Sequence, residues 1–273
     1  KLLLLSGVGP NEELAKHGIN LIHELPGVGK NLQDHLGLQN SYLEKTRLSF
    51  TLHPSSRFRM IKNLLKYFIT KSGEFAGSFG QVGGFLRSNP NLDRPDLQLN
   101  FVIVIYEDLI KAEAMKKFYG YTLITTFLQP KSRGSITLKN ADPLESPIID
   151  PNYFSDPSDL DAMVMAFKKS RHILEQPAFE PHRLEEFRPG KNVQADDEIR
   201  EYIRRTALSI YHLVGTCKMG NDKMAVVDPA LKVHGIQGLR VVDASIIPVI
   251  PSGNTNIPVT MIAEKAADMI LSE

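Results

Sequence analysis

Two stretches of the sequence hold residues that could do chemistry. In YHLVGTCKMG, residues 211–220, His212 stands beside Tyr211 and ahead of Gly215, Thr216 and Cys217. An imidazole titrates near neutral pH and therefore suits a general base. In SGNTNIPVTMIAEKAADMI, residues 252–270, a polar loop carrying Gly253, Asn254, Thr255 and Asn256 runs straight into an apolar helical pattern. Asn256 is predicted to cap that helix and Pro258 to sit near its first position, where a missing N–H is harmless. Val259, Ile262, Ala263, Ala266, Met269 and Ile270 share the spacing of a buried stripe. Helix N–H groups and the positive end of the dipole would then face whatever lies beyond residues 252–256, favouring an anion or a group that becomes one. The residue types alone leave a plainer reading open for each stretch: a tight turn with a cap, and an ordinary core histidine.

The elements that must position these residues can be read from periodicity. PNEELAKHG, residues 10–18, predicts a short helix closed by Gly18, followed by a strand-like INLIHEL and the turn PGVGKN. Residues 57–69 put Phe58, Ile61, Leu64, Leu65 and Phe68 on one helical face, with Gly73 as a stop. The period then changes: residues 83–88, 96–106, 121–128 and 135–140 are rich in β-branched and aromatic types and bounded by Gly, Pro and Asn. Strands in series without regular helices between them predict an antiparallel sheet. A helix follows over about 158–174, with Ser158 as its cap and Leu160, Met163, Val164, Phe167 and Leu174 spaced for packing; another, opened by Asp196, covers about 196–207. LRVVDA then reads as a short strand ending at Asp243 and Ala244. Both ends read as α/β and the middle as sheet plus helices, which predicts one domain inserted into another: 1–38 and 208–273 forming one, 39–207 the other.

Composition removes several classes of function. The 273 residues, 42% hydrophobic, suffice for a sizeable core. With 32 basic and 31 acidic residues the net charge is +1, so no bulk field favours nucleic acid, and small neutral partners fit better. No apolar run approaches the length of a membrane span. Lys1 followed by Leu2–Leu5 imitates a secretory leader, but Ser6, Gly7 and Gly9 arrive too soon, and the expected reading is a cut helix end. Cys217 is the only cysteine, and the scattered His17, His23, His53, His172, His182 and His234 lack metal-ligand spacing, so no metal site is expected. Arg204 and Arg205 are expected on a solvated helix face, and Cys217 as a small packed residue rather than a nucleophile.

LLLLSGVGP with LPGVGKNLQDH, RGSITLKNADP with PNYF, YHLVGTCKMG, VVDPALKVHGIQGLRVVDAS and SGNTNIPVTMIAEKAADMI together resemble, in family order, the glucose-methanol-choline (GMC) oxidoreductases, flavoproteins that oxidise alcohols. The spelling is closest to animal, insect-type members and to choline-dehydrogenase-like ones. The resemblance implies an FAD cofactor and part of an FAD-binding Rossmann-like domain beside a substrate domain built on an antiparallel sheet. It implies His212 as catalytic base and Asn254 at the second catalytic position, which is His or Asn in the family. Tyr211, Asp243, Ala244, Thr255 and Asn256, with Asp34 and His35 of NLQDH, would lie against the flavin. There the helix N-terminus would stabilise negative charge developing on the reduced ring.

The family's ADP-binding Gly-x-Gly-x-x-Gly turn is absent from the sequence, so the resemblance is to a C-terminal half. A fragment, or one piece of a nicked enzyme partnered by an N-terminal half, is expected. Insect-type relatives further suggest an extracellular location. A hydroxynitrile lyase that keeps its flavin is an alternative from the same family; a non-catalytic paralogue is another, against which His212 and Asn254 argue because both positions carry permitted residues.

Overall fold

In the computed structural model of the chain, residues 1–78, 80, 82–105 and 117–272 are described. They form two compact units: Lys1–His35, Leu128–Asp159 and Ser209–Glu273 make the first, Leu36–Phe127 and Leu160–Leu208 the second. The middle of the chain is thus not the single block 39–207 expected from the sequence. Residues 128–159 return to the first unit, because Leu138 packs into the same core as Leu4, Val8, Leu14, Val226, Val227 and Ala266.

The first unit has little regular sheet. Val8–Gly9 pairs in parallel with His23–Glu24, and Ser135–Thr137 with Ile148–Asp150 in antiparallel. The predicted strand INLIHEL therefore shrinks to two residues, and 135–140 forms a local hairpin rather than part of the large sheet. LRVVDA forms no strand: Arg240 makes only an isolated bridge to Lys232, and apolar residues without a neighbouring strand have no ladder to join. These pairings do not amount to a doubly wound sheet. What fixes the unit is its apolar core and the glycines that let loops approach closely. A Cβ on Gly29 would meet the Ile136 carbonyl at 2.2 Å, and one on Gly215 the Asn31 carbonyl at 2.4 Å, both at positive φ.

The helices of the first unit follow the sequence more closely at their apolar positions than at their caps. Asn11–Lys16 has His17 as its C-cap, and Gly18, at φ +66, turns the chain away just beyond it. The final helix spans Asn256–Leu271, but Thr255, not Asn256, is its N-cap, and no side chain bonds there. Its buried stripe is narrower than predicted: Val259, Ile262, Ala266 and Met269 pack inward, while Ala263 and Ile270 are exposed.

The second unit is built on an antiparallel sheet. Leu36–Glu44, its longest strand, pairs with Gly120–Phe127 in an unbroken register from Leu36↔Phe127 to Leu43↔Gly120. Leu97–Val102 and Val82–Leu86 continue the sheet on one side, and Arg183–Arg188 pairs with Leu36–Glu44 on the other. Tyr106, the end of the predicted strand 96–106, lies outside the described residues.

Pro157–Leu174 buries Leu160, Met163, Val164, Phe167 and Leu174 as its spacing predicts. Its cap is Asp156 rather than Ser158: with Pro157 at the first position, the Asp156 carboxylate accepts from the Ser158 N–H at 2.9 Å and hydroxyl at 2.6 Å. Asp196–Thr206 leaves Arg204 and Arg205 exposed, and Glu198 reaches back to accept from the Ala195 N–H. Arg57–Thr70 forms where predicted, yet Phe58, Ile61, Leu64, Leu65 and Phe68, the face read from its spacing, are exposed.

Candidate active site

Asp34 organises the first unit's polar interior. It is buried, and its carboxylate accepts four bonds. Oδ1 takes the backbone N–H groups of His35 and His212, each at 2.9 Å. Oδ2 takes the Tyr153 hydroxyl at 2.6 Å and the Ser209 hydroxyl. Four donors leave neither carboxylate oxygen unpaired in its buried setting. Tyr211, at φ +64, makes the turn that brings the His212 N–H round to Asp34, and its own N–H bonds to Ser209 Oγ. Burial and the bond to Asp34 push the Tyr153 phenol well above its usual pKa, so it remains a donor.

The two histidines thus anchored face each other. His35 Nδ1 lies 2.9 Å from His212 Nδ1, and His35 Nε2 lies 3.1 Å from the Leu128 carbonyl. Their protons can be assigned by elimination. A carbonyl only accepts, so His35 Nε2 carries the hydrogen. Burial, and then His212 opposite, lower His35 to a pKa of about 4; it is neutral at pH 7 and its Nδ1 is a bare acceptor. His212 Nδ1 must then be the donor, which leaves His212 Nε2 with a free lone pair. The Asn254 amide reaches that atom at 3.4 Å, a long bond that an incoming oxygen can replace. Burial also lowers His212, against an opposing pull from Asp34. A histidine held neutral, with a fixed tautomer and its basic nitrogen toward an exposed amide, is equipped to remove a proton.

Around this pair the chain is cross-tied. Gln33 exchanges backbone bonds with Val214, and its amide bonds the Pro248 carbonyl at 3.0 Å. Cys217 N–H donates to the Ser245 carbonyl at 2.8 Å, tying the histidine segment to the turn Ala244–Ile246. Asp243 caps that turn through the Ser245 N–H at 2.7 Å.

Of the residues singled out from the sequence, His212, Asn254, Asp34 and His35 come together. Asp34 and His35 are buried and each bonds His212; Asp34 also bonds Tyr153 and Ser209, and His35 the Leu128 carbonyl. Thr255 is buried at the end of the same loop; Asn256, Asp243 and Tyr211 are exposed and Ala244 half-buried. Burial pushes the Cys217 thiol pKa up and its side chain packs against the apolar core. Sequence reasoning gave no role to Tyr153 or Ser209. PNYF was part of the motif set, but only the fold shows its tyrosine on Asp34, 119 residues away. Among the described residues, no three His, Cys, Asp or Glu side chains converge as a metal site would require.

Residues 130–263 match the C-terminal family model described as GMC oxidoreductase. The chain is 46% identical over 271 residues to an alcohol dehydrogenase [acceptor] of Pseudomonas putida, and 42% identical over 275 residues to an oxygen-dependent choline dehydrogenase of Brucella ovis. Each alignment covers 99% of this chain and 49% of the relative, so the chain spans about half the length of the curated relatives it matches. Among solved structures it superposes on an Aspergillus oryzae formate oxidase, studied for modification of its FAD, with a TM-score of 0.88 and 29% identity, covering 99% of this chain and 52% of that one. A pyridoxine 4-oxidase gives a TM-score of 0.82 at 27% identity, covering 100% and 49%. Over residues 130–263, a span that includes His212 and Asn254, the chain is thus similar to the C-terminal domain of the GMC oxidoreductases.

Proposed function

We propose that the chain is the C-terminal part of an FAD-dependent oxidoreductase acting on a small alcohol, and that an N-terminal half, in the same polypeptide or a second one, completes it. The observation that carries this reading is the bare Nε2 of His212 beside the Asn254 amide. An alcohol oxygen placed between them would donate its proton to Nε2 while accepting from the amide. As the proton leaves, charge grows on that oxygen, and the amide bond strengthens with it. The imidazolium formed keeps its Nδ1–H on His35, so the ring does not turn while it holds the proton.

The flavin, when bound, supplies the acceptor for the carbinol hydride. The residues present fit such a group: the final helix has no acidic residue in its first turn and no capping side chain, so its positive end can meet an electron-rich ring edge. Thr255 and Asn256 would hold that edge, Asp243 and Ala244 the ribityl-pyrophosphate region, and the exposed Tyr211 would border it. Asp34 and His35 we assign to positioning the base. Both relatives named above are bacterial, one an alcohol and one a choline dehydrogenase, and both support a small alcohol as the substrate class.

The test is anaerobic reduction of the full-length holoenzyme by a panel of small alcohols, with and without His212→Ala. Loss of about two to four orders of magnitude in the reduction rate is expected, the scale for removing a general base. Near-normal reduction would remove His212 from this role, and turnover of a cyanohydrin with the flavin still oxidised would move the site to the lyase reading.

A further inference from the structure

The helix Arg57–Thr70 inverts the usual arrangement of an amphipathic helix on a folded domain. Met60 packs against the cluster of Phe50, Val102 and Val104, and Arg59 bonds the carbonyls of Arg47 and Leu48 at 2.8 and 2.9 Å. With Asn63 and Tyr67, these are the half-buried positions, so the inward face is this narrow, largely polar strip. The opposite face carries Phe58, Ile61, Leu64, Leu65, Phe68 and Ile69, each between 43% and 83% exposed. At 3.6 residues per turn the six occupy an arc of about 140°. Scattered exposed apolar residues are ordinary, but six on one helix face form a patch of the kind that marks an interaction surface.

The charge beside the patch says what would cover it. Arg57, Arg59, Lys62, Lys66 and Lys71 fall between residues 57 and 73, and no Asp or Glu does, in a chain whose total net charge is +1. Lys62 and Lys66 flank one edge of the apolar arc, and Lys71 leans over Tyr67 and Phe68 at the C-terminal end. A second copy docking through this face would set like charges against like. A surface of phosphate headgroups over acyl chains matches both features at once: aromatic and aliphatic side chains reach the acyl boundary while lysines meet the phosphates. At about 21 Å the helix is long enough to lie in the interface and too short to span it, and no described helix is long and apolar enough to cross a membrane.

We propose that Arg57–Thr70 is a membrane-surface element that seats the protein on a bilayer bearing anionic phospholipid. This is independent of the alcohol chemistry assigned to the first unit.

Flotation of the full-length protein with vesicles tests it, using phosphatidylcholine alone and phosphatidylcholine mixed with phosphatidylglycerol. Binding is expected to the mixed vesicles, weakening as salt is raised. K62Q/K66Q should weaken it about 30-fold, the contribution of two cations at an anionic surface. F58S/F68S should abolish it, with thermal unfolding unchanged for both variants. Absence of flotation with mixed vesicles, or flotation that survives both pairs of substitutions, overturns the proposal. So does protection of Leu65→Cys from a water-soluble maleimide without vesicles, since the face would then be covered by protein; sedimentation would say whether by a second copy or by the same chain.

Discussion

The surroundings of Asp34 in the first unit and the helix Arg57–Thr70 in the second break the same rule in opposite directions. One buries polar groups, and the other exposes apolar ones. In the first, every exception is compensated: the carboxylate has four donors, and each histidine nitrogen that faces another group has a partner of the right kind. In the second, six apolar side chains of one helix face stand 43% to 83% exposed. A buried polar group that is fully paired rigidifies and orients, whereas an exposed apolar face is satisfied only by something outside the unit. The contrast therefore separates a region built to hold one geometry from one built to meet a partner.

Substitutions should divide along that line. The largest effect on stability is expected from Asp34→Asn, because an amide nitrogen would face N–H and O–H donors and leave at least one unpaired. A loss of about 3 kcal/mol is predicted, measurable by denaturant unfolding. A change under about 0.5 kcal/mol would mean that the four bonds are dispensable and the contrast false.

Acid should expose the same region. His35 has a folded pKa of about 4, below the unfolded value near 6.5, so the unfolded chain binds more protons between them. Its contribution is zero above about pH 6.5 and grows more unfavourable as pH falls to about 4, then levels, for a total near 3 kcal/mol. Unfolding followed against pH should show this decline begin above the carboxylate range and shrink in His35→Asn. If the slopes of the two proteins were equal, the buried neutral histidine would be wrong.

The smallest effect belongs to the helix. Phe58→Ser and Phe68→Ser should each change unfolding free energy by no more than about 0.5 kcal/mol, since an exposed ring gives up little burial. A loss of 2 kcal/mol or more, as a buried ring would give, would place that face against the protein and end the comparison.

How much of this was legible in the sequence follows from the same physics. Periodicity gave the helix Arg57–Thr70 and the residues that share its apolar face, but a period says which side chains lie together, not which way they point. The identical reasoning succeeded for Leu160, Met163, Val164, Phe167 and Leu174, where the face does turn inward. The motifs gave His212 and Asn254, while Tyr153 and Ser209 act on Asp34 across 119 and 175 residues, a proximity no local pattern encodes. The longest strand, Leu36–Glu44, was missed because Gln39, Asn40 and Ser41 interrupt its apolar run, although Asn40 and Ser41 are fully buried in the sheet. Caps were misplaced by one or two residues, as at Asp156 and Thr255, because several Asx and hydroxyl residues stand side by side at both helix starts.

The most direct test of the account is the protonation of His212 itself. Nitrogen chemical shifts of the histidine rings in ¹⁵N-labelled holoenzyme near pH 7 distinguish a protonated from a bare ring nitrogen. A proton on His212 Nδ1 and none on Nε2, with the reverse for His35, is the predicted result. A proton on His212 Nε2 would leave no lone pair facing Asn254, and the base assigned here would contradict the measurement.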